Sequence, residues 1–132
     1  MSRRSKRGSS MVESAFVTAT FLILLMGVAD FGRLGFAYNS VAYAAHHAAR
    51  WASTQGSGSG HPATQASIQT NVQNNVTALD TSQLSVAVTW NPNNNPGSTV
   101  QVQVIYNFKT LLIPVSSTFL RLTNTSTQVI TQ

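Results

Sequence analysis

Glu13 is the first residue of this chain whose chemistry needs an explanation. It stands at the mouth of "SAFVTATFLILLMGVA" (14–29), a mostly apolar run closed by Asp30. A carboxylate buried in lipid or protein without a partner costs several kcal/mol. A partner arises if the chain is cut after Gly8. Ser9 then carries a free amine, and Glu13 becomes the fifth residue of the product, one helical turn away. The carboxylate can pair with its own amine or with that of a neighbouring subunit staggered by about a turn. Pairing and hydrogen bonding both lower the cost of burial.

Two other readings compete for the same segment. An ordinary signal peptide would be cut after the small residues Gly27, Val28 and Ala29, releasing a soluble product that starts at Asp30. Glu13 opposes this, because a signal peptide gains nothing from a charge there, and so does a helical pattern that runs past the supposed cut. An uncut signal anchor would leave Met1 in place and keep the chain in the membrane.

The remaining reactive residue types group less well. Asp30-Phe31-Gly32 spells a kinase motif, but the glycine-rich and catalytic loops that would give it meaning are absent from the sequence. Asp30 is better read as closing the outer end of the span and pairing with Arg33, three residues on. His46 and His47 are adjacent, so on a helix they point about 100° apart and cannot chelate together. His47 and Trp51 are expected where the helix meets the rest of the fold, and Trp51 and Trp90 in one shared core. Asp80 and His61 fall near loops and form no Ser-His-Asp set with any particular serine. No catalytic, cofactor-binding or metal-ligating set is expected, and the chain reads as a non-enzyme.

Composition narrows the classes further. Charged residues make up 8% of the 132 residues, against about 25% in ordinary soluble domains. There is no cysteine, which excludes disulfides, zinc-thiolate sites and thiol catalysis. The net charge of +5 is concentrated at the start: Arg3, Arg4, Lys6 and Arg7 supply four of the eight basic residues. Without residues 1–8, four basic residues stand against three acids, a net of +1. The remaining cations are scattered rather than striped, so nucleic acid is not an expected partner.

These residues need elements to hold them. Residues 11–29 are nearly long enough to cross a bilayer as a helix, and a basic leader on one side predicts a cytoplasmic N-terminus. Leu34, Ala37, Val41, Ala44, Ala48 and Trp51 then recur at spacings of three and four, the stripe of an amphipathic helix. One helix from about Ser9 to Ser53 is expected. "TQGSGSGHP" (54–62) breaks it, and a shorter helix over about 63–79 presents Ile68, Val72, Val76 and Leu79 on one face. The period then becomes two. Residues 84–90 and 100–108 predict strands joined by the loop "NPNNNPGST" (91–99). A third strand is expected near 123–131, after an apolar crossover over 109–122 with a helical turn. The fold class is α+β: a long N-terminal helix, transmembrane then amphipathic, packed on a small antiparallel sheet with a second short helix. The divisions are a leader (1–8), a transmembrane helix (9–30), an extracytoplasmic extension (31–53) and a head (54–132).

The ordered set of basic leader, Gly8, Glu13, apolar helix, "DFGR" (30–33), "YN" (38–39) and "AAHHAAR" (44–50) resembles the N-terminal segment of TadE-like proteins. These are minor pilins or pseudopilins of tight-adherence, Flp-type pilus systems, with a type IV pilin-like architecture. The likeness covers residues 3–53, and "VQVQVIYNF" (100–108) fits the family's strand. The resemblance implies a chain held in the bacterial inner membrane by one pass, with the head outside, for incorporation into a surface pilus or a role in its assembly and attachment. It implies cleavage by a prepilin peptidase, an aspartyl membrane protease, with Gly8 and Ser9 flanking the scissile bond. Glu13 would be the assembly carboxylate, and Asp30 with Arg33 the membrane-boundary pair. Expected partners are that peptidase, other minor and major pilins, the inner-membrane assembly platform and lipid. The alternative is a signal-anchored or secreted β-rich binding domain with no pilus role.

Overall fold

The structure is a computed structural model that describes residues 3–111 and 120–132, with side chains from residue 8 onward. One helix, α1 (Arg3–Ser53), runs 51 residues without a break, about 76 Å at 1.5 Å per residue. It begins in the basic leader rather than near Ser9. Arginine and lysine are good helix formers, and no proline intervenes. A second helix, α2 (Gln65–Asn75), leads to a short 3₁₀ turn over Thr81–Gln83. Three strands follow: β1 (Leu84–Asn91), β2 (Thr99–Phe108) and β3 (Leu120–Val129).

Local chemistry sets the bounds of α2. Thr64 caps its start: the Thr64 hydroxyl accepts from the Ser67 N–H, and the Ser67 hydroxyl accepts from the Thr64 N–H. This reciprocal pair satisfies donors that a helix start leaves open. The helix stops at Asn75, shorter than the expected 63–79. Val76 turns extended, and Ala78 sits at φ 61°, a left-handed conformation unusual for a residue with a Cβ. The expected face survives the shortening. Ile68, Val72 and Val76 are buried, and Leu79 packs against the same core.

The sheet is antiparallel in the order β1-β2-β3. Leu84 pairs with Tyr106 and Asn91 with Thr99, while Phe108 pairs with Leu120 and Thr99 with Val129. Strands β1 and β2 alternate as their sequences predict. Val100, Val102 and Val104 are fully buried in the central strand, which packs against α1. Strand β3 begins at Leu120, earlier than the expected 123, so residues 120–122 belong to a strand and not to the crossover. Its inward residues Asn124, Ser126 and Gln128 are only half-buried, so the strand lacks the hydrophobic alternation that marks the other two. The expected helical turn in the crossover falls on residues 112–119, outside the described residues.

The core joins the upper part of α1 to the sheet. Ala37, Val41, Ala44, Ala45, Ala48, Ala49 and Ala52 are all buried. Alanines let the helix backbone come close to the sheet, and the valines opposite fill the space between, a small-against-large fit. Trp51 and Trp90 both pack on the rim of this one core.

Candidate membrane-anchoring and assembly surface

The lower part of α1 has no counterpart in the core. An 18-residue window within Gly8–Ser53 has a mean hydropathy of 2.0, and none of it is buried. Met11, Phe16, Phe21, Leu24 and Val28 all stand exposed. Water does not tolerate such a contiguous apolar surface on an isolated helix, and a bilayer does. Thr20, a polar residue within the run, donates its hydroxyl to the Phe16 carbonyl at 2.9 Å, which satisfies it without water. This single N-terminal helix fits membrane anchoring.

Gly8, Ser9 and Glu13 lie within two turns of this exposed helix. A Cβ built on Gly8 would meet nothing within 4 Å, so the fold itself gives no reason for a glycine at that position. Glu13 is exposed, and among the described residues no element of the head packs against it. The sequence brought these three together by spacing alone, and the structure keeps them on one helix.

Asp30 and Arg33 sit where the exposed helix enters the head. Arg33 donates to the Asp30 carboxylate at 2.9 Å. The second Asp30 oxygen accepts from the Leu111 backbone N–H, also at 2.9 Å. The Arg33 guanidinium lies 5.4 Å from the centre of the Phe108 ring, a cation–π distance. Asp30 therefore links α1 to the segment just after β2, 81 positions along the chain. The i, i+3 pair was readable from sequence. The Leu111 and Phe108 contacts were not, because no local pattern marks a pairing that distant.

The histidines divide their tasks. His46 reaches the sheet, with its Nδ1 3.4 Å from the Ser126 hydroxyl. His47 is half-buried and stacks on Tyr43 at a ring separation of 5.8 Å. Among the described residues there is no cluster of three or more His, Cys, Asp or Glu side chains able to hold a metal ion.

The TadE-like protein family model matches residues 8–50, a third of the chain. The N-terminal segment of this protein is similar to the TadE-like family over those residues. The match starts at Gly8, takes in the exposed apolar helix and the Asp30–Arg33 pair, and ends within the alanine seam. The chain matches no curated protein and no solved structure. The TadE-like segment thus contains the anchor and one wall of the core, while α2 and the sheet lie beyond the matched residues.

Proposed function

We propose that this protein is a minor pilin that a prepilin peptidase cuts between Gly8 and Ser9 and that joins tight-adherence pilus assemblies through α1. Residues 9–30 span the inner membrane, the leader faces the cytoplasm, and the head stands outside. The observation that carries this reading is a pairing of facts at the N-terminus. The TadE-like match begins at a glycine that the fold does not require, and a carboxylate follows five positions later on the stretch of α1 that is exposed on every side. A glycine without a structural reason fits recognition by an external enzyme, whose cleft admits a backbone lacking a Cβ. A glutamate in an apolar setting fits pairing with the new Ser9 amine, its own or a neighbour's.

Mass spectrometry of the mature N-terminus tests the proposal. A start at Ser9 is the expected result, and Gly8→Val should leave the longer form in the membrane. A start at Asp30 would favour a secreted binding domain, and an intact Met1 a plain anchor. Glu13→Gln removes the charge at nearly constant size. It should insert and fold normally but lose co-purification with other pilins. Unchanged complex formation would remove the pairing role.

A further inference from the structure

The end of the head nearest the exposed helix is itself apolar and cationic. Phe31 is 79% exposed, Leu111 68% and Leu120 44%. All three surround the point where α1 enters the head. Phe31 follows Asp30, whose carboxylate holds the Leu111 N–H at 2.9 Å, and Leu120 pairs with Phe108 at the end of β2. Gly27, Phe31, Leu34, Phe108 and Leu120, together with Asp30 and Thr110, line a recess of about 250 Å³ between helix and sheet. The apolar surface therefore does not end with α1's lower half but continues onto the head.

Charge follows the same end. Arg33 lies over Phe108, Lys109 is exposed one residue later, and the exposed Arg121 pairs in register with Asn107. Asp30 is engaged by Arg33 and Leu111, and Asp80 precedes the 3₁₀ turn that leads into β1. Apolar side chains flanked by Arg33, Lys109 and Arg121 match a bilayer interface, where the carbon parts sit among acyl chains and the cations reach phosphates.

We propose that the head lies on the membrane through this neck surface, with Phe31, Leu111 and Leu120 in the lipid interface and Arg33, Lys109 and Arg121 against phosphate groups. The occupant is lipid of the leaflet on the head's side. Continuity with the exposed apolar helix and the surrounding positive charge select it. The inference rests on α1 spanning the bilayer up to about Asp30. It adds that the head docks on the surface rather than standing clear on a stalk, with apolar groups reaching about 5–10 Å into the headgroup boundary.

The absence of cysteine from the chain makes the test direct. Single-cysteine variants Leu111→Cys, Phe31→Cys, Leu24→Cys and Thr127→Cys of the full chain carry an environment-sensitive fluorophore. Each is reconstituted in vesicles of phosphatidylethanolamine and phosphatidylglycerol. Fluorescence is quenched either by lipid bearing a nitroxide near the headgroup or by aqueous iodide. Labels at 111 and 31 are expected to lose fluorescence to the nitroxide lipid and to resist iodide. The label at 127, on the far half of the sheet, should respond to iodide alone. Iodide quenching at both 111 and 31, with lipid quenching kept at 24, overturns the docking while the span stands. Protection of 111 from both quenchers overturns it too, because protein then covers the neck. Loss of lipid quenching at 24 overturns the spanning helix on which the inference rests.

Discussion

One helix meets two different solvents along its length. From Met11 to Val28 it presents large side chains outward, and nothing among the described residues covers them. From Ala37 to Ala52 it presents alanines inward, and the sheet covers them almost completely. Backbone geometry is continuous between the halves, so helix formation does not separate them. Side-chain size does. Large residues maximise apolar contact with a fluid lipid phase, whereas small residues permit the close approach that a fixed protein surface requires. The Asp30–Arg33 pair stands at the change from one regime to the other.

The sharpest way to break this comparison is to place the same charge in each half. Ala44 is fully buried, so Ala44→Glu leaves an unpaired carboxylate in a packed seam. A loss of about 3–5 kcal/mol of head stability is expected, read by denaturant unfolding of the full chain in detergent micelles. Leu24→Glu should leave head unfolding unchanged and impair membrane insertion instead. If both variants destabilise the head alike, the two halves are not energetically distinct.

Two glycines give a second contrast. A Cβ on Gly56 would fall 2.5 Å from Ile130 Cγ2 and would collide with the Gln132 carbonyl oxygen. This loop is tied to the chain end, with the Thr131 N–H donating to the Ser53 carbonyl at 2.9 Å. Gly56→Ala should therefore cost about 1–3 kcal/mol through forced displacement, whereas Gly8→Ala should leave the head's unfolding transition where it is. Equal midpoints for the two variants would show that the loop yields without cost.

The smallest effect is one of pH. Asp80 accepts from the Ser82 hydroxyl at 2.7 Å and from its N–H at 2.9 Å. These bonds, the hydroxyl's first, hold its carboxyl below the ordinary range. Because the folded value is the lower one, the stabilisation is present above the unfolded value of about 3.9 and is lost as pH falls through the folded one. Asp80→Asn should lower stability slightly at neutral pH, converge with the native chain in acid, and so flatten the decline below about pH 4. An unchanged acid profile would mean that these bonds persist in the unfolded chain or add nothing.

Local pattern made much of the fold legible. The three-and-four spacing of Ala37, Val41, Ala44 and Ala48 marked the buried face of α1, and the alternation of Val100, Val102 and Val104 marked that of β2. The Asp30–Arg33 pair could be read because i, i+3 neighbours share a helix face. The start of β3 could not, since an edge strand with half-buried Asn124, Ser126 and Gln128 carries no hydrophobic alternation to read.

The sequence by itself therefore determined the periods, the long helix, its apolar lower half, and the placement of Gly8, Ser9 and Glu13 within two turns. Each of these depends on residues close together in the chain, where 1.5 Å per residue and 100° per step leave little freedom. Tertiary structure alone decided that the segment just after β2 returns to Asp30, that Arg33 lies over Phe108, and that Phe31, Leu111 and Leu120 gather at one end of the head. Those contacts join segments about 80 positions apart. Their geometry is set by how an alanine face seats on a valine sheet, a packing result that no local spacing encodes.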